Sequence, residues 1–199
     1  MSKTVLLATR NRHKLHELHA LLSESSIKIL TLDDVAPIDE IIEDGLTFAD
    51  NASKKAGLTA IATGYTCLAD DSGLVVPALQ GQPGVYSARF AGPSASDEDN
   101  NIKLLDLLKD YQGKARYAEF ICVIAISDPL GNVHLSEGIC PGHIANNPVG
   151  SNGFGYDPLF IPSGYDRTFA QLAEAEKNKI SHRGIALAKS ASFLLYGDN

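Results

Sequence analysis

Apolar residues open the chain as an unbroken run, Thr4 to Ala8, which predicts a buried strand. A polar turn, Thr9-Arg10-Asn11-Arg12, follows, and Leu15, Leu18, Leu21 and Leu22 then recur at helical spacing. Lys28 to Leu32 predicts a second strand, and Ile38 to Gly45 is acidic and without period. Thr47 with Asp50 is a capping signal for an Ala-rich helix that should stop at Gly64. Cys67-Leu68-Ala69 predicts a short buried strand that ends at an acidic doublet, Asp70-Asp71, before Ser72-Gly73. Gly81-Gln82-Pro83-Gly84 predicts a turn, and Ser96 with Asp99 caps a helix whose apolar residues are Leu104, Leu105, Leu107 and Leu108.

Arg116 to Ser127 predicts a long strand with Phe120, Cys122, Ile124 and Ile126 on one face. Pro129-Leu130-Gly131-Asn132 turns it into a second strand, where Val133, Leu135 and Ile139 alternate with polar residues, an antiparallel hairpin. A loop from Asn146 to Gly155 leads to Leu159-Phe160-Ile161. The last helix is expected to begin at Ser181, with Leu187, Ala191, Leu194 and Leu195 inward. Strands and helices interleave and one hairpin is present, so the fold class is α/β with a mixed sheet, a single domain over residues 1–199.

Composition narrows the partners. A net charge of −7 argues against a nucleic-acid polymer or an anionic membrane as the main partner. The three cysteines, Cys67, Cys122 and Cys140, have no metal-ligand spacing and read as reduced thiols. No stretch is long and apolar enough to span a bilayer, and Val5 to Ala8 is too short for a signal peptide. The expected location is cytoplasmic.

Four segments can carry chemistry. Thr9, Arg10, Asn11, Arg12, His13 and Lys14 lie between a strand and a helix, where backbone N–H groups, the helix dipole and a lysine suit an anion. Glu40, Glu43, Asp44, Asp70 and Asp71 offer oxygen ligands for magnesium and a carboxylate to deprotonate a water. In Gly153-Phe154-Gly155-Tyr156-Asp157-Pro158 the glycines allow close approach, Phe154 or Tyr156 can stack on a base, and Asp157 can accept ring N–H groups. In Lys177-Asn178-Lys179-Ile180-Ser181-His182-Arg183, Ser181 is a fitting N-cap. Two potential cations in the first turn of a helix, where the dipole disfavours them, suggest that they face an anion or a carbonyl.

Taken in order, Ala8-Thr9-x-Asn11-x-x-Lys14, Thr47-Phe48-x-x-Asn51-Ala52-x-x-Lys55-Ala56, Ala69-Asp70-Asp71-Ser72-Gly73-Leu74, Gly84-Val85-Tyr86-Ser87-Ala88-Arg89, Gly153 to Pro158 and Ser181-His182-Arg183 resemble the Ham1/RdgB-like inosine triphosphate pyrophosphatase family. The resemblance implies an elongated two-lobed, Maf-like α/β fold with the active site in a cleft between the lobes, and a homodimer. It implies Mg2+-dependent hydrolysis of the purine nucleoside triphosphates ITP, dITP and XTP to the monophosphate and pyrophosphate. By the same resemblance Asp71 is proton acceptor and metal ligand, Thr9 to Lys14 hold the phosphates and Ser72 touches substrate. Phe154, Gly155, Tyr156, Asp157, Lys177, His182 and Arg183 bind the nucleotide, largely at the base, with Lys55 and Asp70 in support. Family members often carry two adjacent glutamates before the Gly-x-Thr-Phe segment. Here Ile42 stands at the first, so either Glu43 is the second metal ligand or the metal relies on Asp71 and the phosphates. A Maf-type pyrophosphatase of other modified nucleotides and a catalytically silent nucleotide-binding protein are the competing readings.

Overall fold

Strand β1 (Thr4–Leu7) leads through helix α1 (Arg12–Leu22) to β2 (Lys28–Thr31), and helix α2 (Phe48–Thr63) leads to β3 (Cys67–Val75). Helix α3 (Asp97–Leu107) precedes the hairpin of β4 (Tyr117–Ser127) and β5 (Val133–Ile144). The short strand β6 (Phe160–Pro162), helix α4 (Glu174–Ile180) and helix α5 (His182–Tyr196) complete the chain. The computed structural model describes residues 4–22 and 27–196, with the side chains of Ser192, Leu195 and Tyr196 outside that description. The inward placement expected of Leu195 therefore falls outside the described side chains.

The strands are ordered β2-β1-β3-β4-β5-β6. Strand β1 pairs parallel with both β2 and β3, whereas β5 and β6 are antiparallel, so the sheet is mixed as expected. The chain falls into two compact units. One comprises residues up to Asp71, Cys122–Gly138 and the chain from Arg183 onward; the other comprises Ser72–Ile121 and Ile139–His182.

In the first unit β1 and the start of β3 are buried on both faces, which is why β1 reads as a continuous apolar run. Val5 and Leu7, with Leu68 and with Cys122, Ile124 and Ile126, pack against Leu18 and Leu22 of α1 and Leu187 and Leu194 of α5. Leu6, Ala8, Cys67, Ala69, Val123 and Ala125 pack on the other face against Ala52, Ala56 and Ala60 of α2. Alanine methyl groups at that contact let α2 lie close on the sheet. Its ends follow local chemistry: the Thr47 hydroxyl accepts the Asp50 N–H at 3.1 Å, and Asp50 accepts the Thr47 N–H at 3.2 Å. At the other end Gly64 takes φ +73° and donates its N–H to Ala60 O.

The second unit has its own core, in which Leu74, Leu104, Leu108, Phe120, Ile144, Phe160 and Phe169 meet. A capping box of Ser96 and Asp99 starts α3.

The expectations for the acidic doublet, Lys177 and Ala191 are corrected. The acidic doublet does not end a strand, because β3 continues to Val75. Helix α4 was not anticipated, and Lys177 lies on it rather than at the start of α5. In β5 the apolar Val133, Leu135 and Ile139 face outward, while Ser136, Gly138, Cys140, Gly142 and Ile144 face in. Ala191 in α5 is exposed rather than inward.

Thr47→Ala removes the first-turn partner of Asp50 and should destabilise the fold by about 1 kcal/mol. Urea denaturation checks this as a lower midpoint with an unchanged slope.

Candidate active site

Successive side chains of a strand point to opposite faces, and this separates the two acids of β3. Asp70 shares the parity of Leu68, and its fully buried carboxylate meets the cations of the α1 and α5 side. Lys14 Nζ lies 3.2 Å from Asp70 Oδ2, and Arg183 donates Nε and Nη2 to the same oxygen at 3.2 and 3.1 Å. Arg183 Nη1 also donates to Glu17, itself buried on α1. Burial alone would raise the pKa of Asp70. The charges of Lys14, Arg183 and Lys55 outweigh it and hold the carboxyl below the usual carboxylate range. Burial likewise works against the Arg183 charge, and Asp70 and Glu17 more than offset it.

Asp71 shares the parity of Cys67 and Ala69 and meets the α2 side. Its Oδ2 accepts Asn51 Nδ2 at 2.9 Å. Burial pushes the Asp71 pKa up and the Glu43 charge pushes it further, against the opposing effects of Lys14, the Asn51 hydrogen bond and Lys55. Two adjacent carboxyls of one strand thus have opposite proton affinities.

The acidic segment before α2 is tied to the same place. Lys55 Nζ binds Glu43 Oε1 at 2.9 Å, and Gly45 N–H donates to Asn51 Oδ1 at 2.7 Å. Asn51 therefore holds Asp71 with one end of its amide and the Glu43 segment with the other. Ile42 is 72% exposed, and Glu43 is the residue that pairs with Lys55. Asp44 pairs with Lys54 at the surface.

The turn before α1 is built by its own side chains. Asn11 Oδ1 accepts the His13 and Lys14 N–H groups at 3.0 and 3.1 Å, an N-cap. Thr9 Oγ1 accepts the Asn11 N–H, and Arg10 Nη2 donates to Ile38 O. Arg12 and His13 are exposed. The side-chain oxygens of Thr9 and Asn11, expected on a ligand, are engaged in the turn. Ser72, half-buried, follows Asp71 on β3.

In the second unit, Lys177 Nζ binds Asp157 Oδ2 at 2.6 Å, and both side chains are buried. Asp157 Oδ2 also accepts the Phe154 N–H at 3.0 Å, and the ammonium lies 5.3 Å from the Phe154 ring centre and 5.6 Å from that of Phe169. Gly153, at φ +75°, cannot be replaced here, because a Cβ would stand 1.9 Å from Asp157 Oδ2. Tyr156 is buried with its hydroxyl on Ser87 O at 2.9 Å, so of the two rings only the half-buried Phe154 is placed to stack. His182 stacks on Phe120, with centroids 4.6 Å apart and planes 7° apart. Arg183 meets anions, as its position called for: Asp70 and Glu17 engage its buried guanidinium.

Sequence reasoning missed Asn51 and Glu17 as site residues. Each carried a signal: Glu17 stands beside Leu18 on an apolar helix face, and Asn51 is i,i+4 to Lys55 amid inward alanines. Among the described residues no group of three or more His, Cys, Asp or Glu side chains could hold a metal.

The alternating parallel strands and helices, with ion pairs buried at mid-strand, define an α/β protein organised around a charged centre. The chain belongs to the Ham1 family, whose profile matches residues 5–193. It is 50% identical over 190 residues to a protein of Desulforamulus reducens named dITP/XTP pyrophosphatase, covering 96% of this chain and 94% of that one. A Geobacter sulfurreducens protein of the same name is 49% identical over 184 residues, 92% of each chain. The solved structure of a HAM1 protein from Coxiella burnetii matches with a TM-score of 0.88 at 41% identity, over 96% of this chain and 98% of that one.

The contribution of Asp70 is complete above its unfolded pKa of about 4 and is lost as pH falls from there through the lower folded value. Asp70→Asn should therefore cost about 3–5 kcal/mol at pH 7, because it removes the buried anion shared by Lys14 and Arg183. It should also flatten the fall of stability below pH 4. Chemical denaturation between pH 7 and pH 2 checks both.

Proposed function

We propose that the protein hydrolyses the deaminated purine nucleotides ITP, dITP and XTP between the α and β phosphates. The products are the nucleoside monophosphate and pyrophosphate, and the effect is to clear these nucleotides from the pool. The observation that carries this reading is the divided doublet: Asp70 is saturated by cations, and Asp71 beside it has a raised proton affinity. Relatives about half identical over nearly the whole chain carry the name of that activity.

Asp71 acts as the proton acceptor for the attacking water, and Asn51 fixes its Oδ2. A carboxyl with a raised pKa is a better base than an ordinary one. Lys14 and Lys55, with the dipole of α1 at its N-terminus, supply positive charge to the phosphate oxygens. The proton leaves with Asp71, and pyrophosphate departs from the α-phosphorus. Glu43 and Asp71 are two carboxylates close enough for one to raise the other's pKa, with Lys55 already drawn to Glu43, a donor set that fits Mg2+. Magnesium is usually held by one or two carboxylates with substrate phosphates completing its shell, and when bound it neutralises phosphate charge. Phe154 stacks on the base, and Lys177, held by Asp157, offers N–H donors to the 6-oxo group. Adenine presents an amino group there, and a buried donor left unpaired costs about 1–3 kcal/mol.

The chain works as a homodimer in the cytoplasm. Val133 and Leu135, apolar residues on the outward face of β5, are exposed and would be covered by a second copy. The three buried free cysteines suit a reducing compartment.

With Mg2+, the purified protein should release pyrophosphate from ITP, dITP and XTP much faster than from ATP, and excess EDTA should abolish the release. No pyrophosphate from any triphosphate would overturn the reading. Asp71→Asn should lower kcat by about 100-fold or more. A raised folded pKa costs stability once pH passes about 4, with the full cost above the folded value. The same variant should therefore be more stable than the parent at pH 8 in EDTA, which thermal denaturation checks.

A further inference from the structure

Helix α3 carries two side chains that its capping box does not use. Asp97, its first residue, accepts the Gly155 N–H on Oδ2 at 2.6 Å. Asn101, four residues on and so on the same face, donates Nδ2 to Gly155 O at 3.0 Å. Both backbone groups of one loop residue are thus held by one helix. Gly155 sits at φ +62° and has no side chain by which the loop could be held there instead. Asn101 is nine-tenths buried, and its Oδ1 has no hydrogen-bond partner among the described residues. A buried unpaired acceptor carries a penalty that an apolar residue would avoid. Core packing alone therefore does not account for an amide at this position.

The loop is anchored elsewhere by separate bonds. Asp157 holds the Phe154 N–H and Lys177, and the Tyr156 hydroxyl holds Ser87 O. Releasing Gly155 would leave those bonds in place and free the peptide that follows Phe154.

We propose that Asp97 and Asn101 are positioning residues that set the orientation of the Phe154 ring and thereby the selectivity for the nucleobase. The inference rests on the reading of residues 154–157 as the base-binding segment. Neither residue touches the substrate. Their effect belongs to base binding, and phosphate binding is untouched by it.

The test is steady-state kinetics with ITP and GTP, together with competitive inhibition by inorganic pyrophosphate, which has no base. Asp97→Ala and Asn101→Ala should each raise KM for ITP about fivefold to tenfold, with kcat within twofold. Each should narrow the preference for ITP over GTP and leave inhibition by pyrophosphate unchanged. Asp97→Asn, which keeps an acceptor oxygen, should recover most of the loss. Asp97 is exposed, so Asp97→Ala keeps the test open even where Asn101→Ala fails to fold. An unchanged KM in Asp97→Ala, or equal weakening of ITP and pyrophosphate, would overturn the proposal. Phe154→Ala separates the two levels of inference. If it raises KM and Asp97→Ala does not, the positioning role is refuted and the base loop stands. If neither changes KM, the base-loop reading falls and the positioning role with it.

Discussion

A full negative charge with no access to water, set in the middle of a strand, can persist only if cations are brought to it. Asp70 is that charge, and Lys14 and Arg183 are the cations. Meeting the requirement ties the first turns of α1 and α5 to β3, segments that lie far apart in the chain. It also places Glu17 against Arg183, so that the buried guanidinium is matched from two sides. Such a cluster is poor as a source of stability compared with apolar packing, and breaking it is costly. Its value here is positional, since it holds the neighbouring peptide of Asp71 in one orientation.

The pleat of β3 does the rest. Were both acids on one face, they would share the same cations and compete for one proton. Sent to opposite faces, they acquire different partners and different proton affinities. Asn51, which bonds both Asp71 and the backbone at Gly45, then links Asp71 to the acidic segment that carries Glu43.

What could be read from the sequence was the local chemistry. Thr47 with Asp50, Ser96 with Asp99, and the stop at Gly64 were legible because each capping bond closes within four residues. The apolar runs of β1 and β4 were legible because both of their faces are buried. The length of β3 was not, because Asp-Asp-Ser-Gly reads as a strand end until its cations are known. One of them, Arg183, lies 113 residues away from Asp70. Helix α4 escaped notice because Glu174–Ile180 has almost no apolar period, and its inward lysine depends on the distant Asp157. In β5 alternation alone assigns no face to the core, and its apolar residues, Val133, Leu135 and Ile139, are the outward set. Arg183 and His182 were placed correctly in a first helical turn, but which groups they meet depends on tertiary packing.

The alanines of α2 have a bearing on how this chain can change. Ala52, Ala56 and Ala60 act as a spacer of fixed thickness between helix and sheet, and Asn51 and Lys55 ride on the same helix. A larger side chain at any of the three would lift the helix by a fraction of an ångström to an ångström or more. The fold could absorb that shift by repacking, whereas a hydrogen bond to Asp71 weakens over the same distance. Mutational drift at these buried positions is therefore limited first by the geometry around one carboxylate and only afterwards by stability.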